Sequence, residues 1–234
     1  CIIFVFSSFI VKGQKIDSAW VSENSIPRFT KDTGKLLPDA SFFDEKGNTR
    51  SLSEFKGKVL LIDVWTTWCV NCIGRFPHSE QLYKRLKSIH LDTAIQFINI
   101  CTEDSKSEWK KMLKEHHPVG INLYSKDTSI YQSWNVSAFP RYILVDRAGK
   151  ILSGDYLGPD EGWIDYTLYA AVKEKNPAEA IFIELRQNQY YRKYRKFTDD
   201  EEGADYAVWY NSIVKELVAY FQWRQARKEL RYKQ

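Results

Sequence analysis

The chain has 234 residues, 44% of them hydrophobic and 27% charged, with four cysteines and a formal charge of +4. Those values suit a globular chain with one domain and an extension, or two small domains, able to bury a sizeable core, and the net charge is too small to argue for nucleic-acid binding. The excess charge sits at one end: residues 185–234 hold 11 Lys/Arg against 7 Asp/Glu, and the remainder holds 23 of each.

The first residues, "CIIFVFSSFIVKGQ", form an apolar run closed by Lys12, Gly13 and Gln14. Val11 and Gly13 fill the −3 and −1 positions of a cleavage site, so residues 1–13 read as a signal-peptide remnant. A membrane anchor completed by residues upstream and a buried strand are the alternatives. The visible run is shorter than the roughly 20 residues a spanning helix needs. A signal sequence would put the protein outside the cytoplasm, in a periplasm or cell envelope, where disulfides persist. Residues 14–35 are polar and aperiodic and read as a linker.

Residues 37–58 place Phe42 and Phe43 before the turn signal Glu45-Lys46-Gly47-Asn48, which predicts a short β-hairpin. "KVLLIDVW" (58–65) is a continuous β-prone run, as in a strand covered on both faces. A helix follows from Cys69 to about His90, with Phe76, Leu82, Leu86 and Ile89 as its apolar positions. "AIQFINIC" (94–101) is a second buried strand. "SKSEWKKMLKEHH" (105–117) is an amphipathic helix with Ser105 as N-cap, and its closing histidines suit a helix C-terminus better than a metal. A short helix (129–134) comes next. "RYILVD" and "KILSGDYLG" flank the turn Asp146-Arg147-Ala148-Gly149 as a second hairpin, and a helix from about Asp160 to Glu174 closes the unit. This order predicts an α/β fold with a mixed central sheet and helices on both faces. Residues 177–234 read as a helical C-terminal extension: a basic aromatic helix, an acidic break at "TDDEEGAD", and a helix with Tyr206, Tyr210, Ile213, Leu217, Tyr220 and Phe221 along one stripe. That stripe either packs on the domain or offers a docking surface.

Within "DVWTTWCVNCIGRFPH" (63–78), Cys69 and Cys72 stand two residues apart where a buried strand gives way to a helix. A helix N-terminus presents free N–H groups and partial positive charge, which favour a thiolate. Positions i and i+3 are neighbours on a helix, so the two sulfurs can open and close a bond with little movement. As a structural staple the pair is weak, since so short a loop yields about 2 kcal/mol on the chain-entropy view. As a metal site it is half built: there is no second CxxC, and His78, His90, His116 and His117 show no matching spacing. A reactive dithiol is favoured, with a structural disulfide and a metal site as the remaining readings. Cys101, at the end of the second buried strand, reads as a small hydrophobe.

"VLLIDVWTTWCVNC", with the hairpin before it and "FP" ahead of "RYILVDRAGKI", resembles the thioredoxin superfamily, and within it the TlpA/ResA-like extracytoplasmic thiol-disulfide oxidoreductases. The resemblance covers about Leu36 to Lys175, so residues 36–176 are expected to form a thioredoxin-like domain. It implies that Cys69 attacks a partner's sulfur and Cys72 resolves the mixed disulfide. It implies that Asp63, a buried carboxylate, takes the proton from Cys72. Trp68 would shield one side, Pro140 would be the superfamily's cis-proline, and Phe139 would offer its backbone to an extended substrate. Relatives often carry a glutamate three residues after the second cysteine; Arg75 stands there, either as a solvated side chain or as a cation that lowers the Cys69 pKa. No bound cofactor or metal is implied beyond the Cys69–Cys72 couple. The implied partners are disulfide-bearing or dithiol proteins and a redox protein that donates or accepts electrons. The expected direction is reduction of protein disulfides. The rival readings are a thiol peroxidase, which Thr66 fits but Ile62 does not, and a non-catalytic binding module with an inert disulfide.

Overall fold

The computed structural model describes residues 30–102, 105–161 and 164–231. The signal-peptide remnant and residues 14–29 of the 14–35 linker lie outside the described residues. Seven strands form one sheet, ordered β2-β1-β5-β4-β3-β6-β7. They are β1 (Ser41–Phe43), β2 (Thr49–Ser51), β3 (Val59–Trp65), β4 (Ile95–Thr102), β5 (Ile121–Ser125), β6 (Arg141–Val145) and β7 (Ile151–Ser153). The central β3 is buried along its whole length, which accounts for its unbroken apolar sequence. It pairs parallel with β4 and antiparallel with β6, and β4 pairs parallel with β5. The parallel steps are bridged by α1 (Val70–Ser88) and α2 (Lys106–His116). A short α3 (Ser129–Ser133) precedes β6, and α4 (Ile164–Val172) follows β7.

Side chains alternate across β3 and divide the core. Val59 and Leu61 pack with Tyr142 and Leu144 against Leu82 and Leu86 of α1 and Ile164 and Leu168 of α4. Leu60, Ile62 and Val64 face the other way, onto Phe42, Leu52, Ile130 and Trp134. Leu82 and Leu86 are fully buried, worth about 1.5–3 kcal/mol each, and they fix the face that α1 turns to the sheet.

Three elements depart from the sequence reading. Strand β5 was not expected; it begins just after Gly120, at φ +108°, where an added Cβ would lie 2.6 Å from the Phe97 carbonyl oxygen. Strand β7 spans three residues of the stretch 150–158, with a register irregularity opposite Leu144 and Val145. Helix α4 starts four residues after Asp160, because Gly158 to Glu161 form a turn. There the Glu161 N–H donates to the Gly158 carbonyl (3.0 Å), and the Gly158 N–H donates to Glu161 Oε1 (2.8 Å).

Beyond α4 come α5 (Pro177–Tyr194) and α6 (Glu201–Arg231). Asn176 caps α5 by accepting the Ala178 N–H at 2.8 Å, with Pro177 in the first turn where it needs no donor. Ile181 and Leu185 of α5 enter the same cluster as Val59 and Leu61, so the extension shares the core of the sheet. The aromatic stripe of α6 packs inward: Tyr206, Trp209, Tyr210, Ile213 and Leu217 are buried with Tyr166, Ala170 and Ile183. Part of the expected acidic break is helical, with α6 starting at Glu201. Gly203 permits this, since a Cβ there would fall 2.0 Å from the Thr198 carbonyl oxygen. Farther along, α6 lies against α1. The Tyr220 hydroxyl and His78 Nδ1 share a hydrogen bond of 3.0 Å, the Arg85 guanidinium stacks 4.0 Å from the Tyr220 ring centroid, and Trp223 meets His78 edge-on. Arg85 also makes a buried two-pronged pair with Asp165 of α4, at 2.8 and 3.0 Å.

Candidate functional site

Cys69 and Cys72 are joined as a disulfide. Cys69 is the N-cap of α1, with extended backbone (φ −80°, ψ 92°), and its Sγ accepts the Cys72 N–H at 3.1 Å. The Cys69 carbonyl takes the N–H groups of Cys72 and Ile73, and the Cys69 N–H donates to Thr66. When the bond opens, a charge on Cys69 Sγ would sit at the positive end of the helix with a donor already aimed at it. Cys72 is fully buried, and Cys69 is 7% exposed. Phe76, Trp109, Leu113 and Cys101 surround the pair. Cys101 is buried and lies outside the disulfide.

The rim of the site is apolar and open. Trp68 is 67% exposed and Val70 81%. Trp68 stands edge-on to Phe139 at 5.7 Å, and Phe139 meets Tyr131 at 5.5 Å on its other side. The Tyr131 hydroxyl donates to Thr102 Oγ1 at 2.7 Å, which ties this aromatic row to the end of β4. The Phe139–Pro140 peptide bond is cis. Next to it, the buried Arg141 pairs with Asp155 and donates from Nη2 to Ser137 Oγ at 3.2 Å, fastening the loop that carries Phe139.

Asp63 lies between Leu61 and Trp65 on the β3 face that meets α1, and it is buried. Neither carboxylate oxygen has a hydrogen-bond partner that satisfies normal geometry among the described residues. Burial therefore dominates and pushes its pKa up to about 7; the adjacent Tyr142 hydroxyl and the positive charge of Arg75 pull the other way. Tyr142 is its direct partner across the β3–β6 ladder. The Tyr142 phenol is itself driven well upward by burial and by the facing Asp63, so it stays protonated. The Arg75 side chain is 28% exposed. Its Nε pairs with Asp160 at 3.0 Å and its guanidinium lies 5.9 Å from the Tyr142 ring centroid, half-buried over Gly158.

The fold thus gathers Cys69, Cys72, Trp68, Phe139 and Pro140 at the end of the sheet, with Asp63 behind α1 and Arg75 beside it. Sequence reasoning missed Tyr131, Arg141, Tyr142 and Asp160. Tyr142 was traceable in principle: placing β6 beside β3 in the right register sets it opposite Asp63. The sequence profile of the Redoxin family matches residues 32–167.

The chain belongs to the Redoxin family. It is a TlpA/ResA-like member of the thioredoxin superfamily, as the sequence resemblance implied. It is 27% identical over 122 residues to the thiol-disulfide oxidoreductase ResA of Bacillus cereus, an alignment spanning 51% of this chain and 66% of that protein. It is 26% identical to ResA of Bacillus subtilis, over 51% of this chain and 64% of that one. The chain therefore matches just under two thirds of the length of these curated relatives. The thioredoxin domain of a thiol-disulfide oxidoreductase from Bacteroides vulgatus superimposes with a TM-score of 0.51 at 30% identity, covering 61% of this chain and 96% of that domain. The Redoxin match ends at residue 167, before α5 and α6. Among the described residues no helix is long and apolar enough to cross a membrane.

Proposed function

We propose that this Redoxin-family protein is a thiol-disulfide oxidoreductase that works outside the cytoplasm and reduces disulfides of partner proteins, with residues 36–176 as the exchange unit and 177–234 as its helical extension. The Cys69–Cys72 couple is the only redox group required. In the reduced protein the Cys69 thiolate attacks one sulfur of a substrate disulfide; a mixed disulfide forms and the other substrate sulfur leaves as thiolate. Cys72 passes its proton to Asp63 and attacks Cys69 Sγ, and the second substrate sulfur leaves as thiolate. The substrate gains two electrons, and the protein ends as the Cys69–Cys72 disulfide. An electron-donating dithiol protein then restores the dithiol. An extended substrate segment lies against the Phe139–Pro140 backbone, between Trp68 and Phe139, which favours substrates with apolar residues beside the cysteine. The resemblance to extracytoplasmic thiol-disulfide oxidoreductases and the apolar run at residues 1–11 support an envelope location.

The observation that carries this reading is Cys69 capping α1, with a backbone donor on its sulfur and Cys72 directly beneath it. The test is a Cys72→Ser variant. It should accumulate mixed disulfides with protein substrates through Cys69, and dithiothreitol should release them. No adducts, together with no insulin-disulfide reduction by the wild-type dithiol, would leave an inert disulfide as the better reading. Rapid hydrogen-peroxide consumption would instead mark a peroxidase.

A further inference from the structure

Asp63 is buried, and among the described residues neither carboxylate oxygen has a hydrogen-bond partner of good geometry, so burial sets its ionisation first and the groups nearest it adjust that. The groups that face it come from four places. Tyr142 approaches from β6 and Asn99 from β4, both as ladder neighbours. Asn99 is neutral, and its amide is engaged with the Val119 carbonyl at 2.9 Å and Asn122 at 3.0 Å. Arg75 approaches from α1. Asp160, from the turn before α4, meets Arg75 at 3.0 Å, and its charge is also felt at Tyr142. Arg75 is thus the cation of the set, and it is held by contacts from two other elements: the Asp160 carboxylate and the Tyr142 ring. Gly158 leaves room for it, since a Cβ there would lie 2.8 Å from Arg75 Nη1.

We propose that Arg75 and Asp160 form a positioning pair for the exchange reaction: Asp160 holds the Arg75 guanidinium against Tyr142, and from that place Arg75 governs the ionisation of Asp63. The role of Asp63 as proton acceptor rests on the function proposed above; the electrostatic coupling does not. Arg75 acts as a brake on burial. It keeps the buried carboxyl ionisable near neutral pH, where it can accept the Cys72 proton. Asp160 is ion-paired with Arg75, so its effect on Asp63 should depend on Arg75 being present.

The experiment is a titration of the Asp63 side-chain carboxyl by carbon-13 NMR in the disulfide form, where neither Cys69 nor Cys72 ionises. The wild-type midpoint is expected near the value of about 7 that burial and its neighbours give. Arg75→Met should raise it by about one unit, a moderate effect for a partly solvated cation. Arg75→Lys should restore most of the difference. Asp160→Asn should raise the midpoint by less, because Arg75 loses its anchor, and should add nothing in the Arg75→Met background. A packing role alone would give additive losses of stability and leave the midpoint where it was. An unchanged midpoint in Arg75→Met, a downward shift, or a full-sized Asp160→Asn effect without Arg75 would overturn the proposal. If Arg75→Met does not fold, Arg75→Gln gives the same reading. Because the protein is oxidised and no substrate is present, failure here is separate from failure of the exchange reaction.

Discussion

Replacing Asp63 by Asn should make the oxidised protein more stable, and increasingly so as pH rises. The folded carboxyl has its pKa at about 7, against about 3.9 for an unfolded chain. Between those values the folded state holds a proton that the unfolded state has released, so rising pH favours unfolding. The cost starts near pH 4, grows through pH 7 and levels off above it, at roughly 3 units or about 4 kcal/mol. At pH 5 it is about 1.5 kcal/mol, and by pH 8.5 nearly the full value. Asn cannot titrate, and whatever its amide gains or loses by burial is the same at both pH values. The stability gap between Asp63→Asn and wild type should therefore widen by about 2.5 kcal/mol between pH 5 and pH 8.5. Urea denaturation of the two oxidised proteins across that range, with the disulfide intact, measures it directly. A gap that stays constant would mean that the carboxyl is not desolvated as its surroundings indicate, and it would remove the basis for Asp63 as a proton acceptor near neutrality.

Arg85→Met should cost about 3–5 kcal/mol in denaturant unfolding, since it leaves the Asp165 carboxylate without its cation and strips the cationic face from Tyr220. Gly203→Ala should loosen the α5–α6 turn, because its methyl would collide with the Thr198 carbonyl. We expect a loss of roughly 1–3 kcal/mol, and faster amide hydrogen exchange at Thr198 and the start of α6 than in α1.

The strongest physical signals were the ones legible in sequence. The unbroken run 58–65 could only be a strand with both faces covered, and Cys69 and Cys72 follow it at the start of an amphipathic helix; both features are in the structure as read. Strand β5 escaped because "INLYS" is five residues long and its pairing with β4 is a long-range event that no local pattern announces. The early start assigned to α4 came from reading Asp160 as a helix residue, when the Glu161 side chain closes a turn there instead. Arg75 shows the limit most clearly. Its distance from Cys72 along the chain suggested either water or the sulfurs, and neither reading could name its contacts with Asp160 and Tyr142, which lie 85 and 67 positions away in sequence. The stripe on α6 could be recognised, while its landing place on His78 and Arg85 could not.

That landing place shapes who can visit the dithiol. With Tyr220 and Trp223 seated on His78, one flank of the helix behind Cys69 is already taken by the protein's own chain. A guest must come down from the tryptophan-and-phenylalanine brim, and its outline must clear this built-in shoulder before two sulfurs can meet.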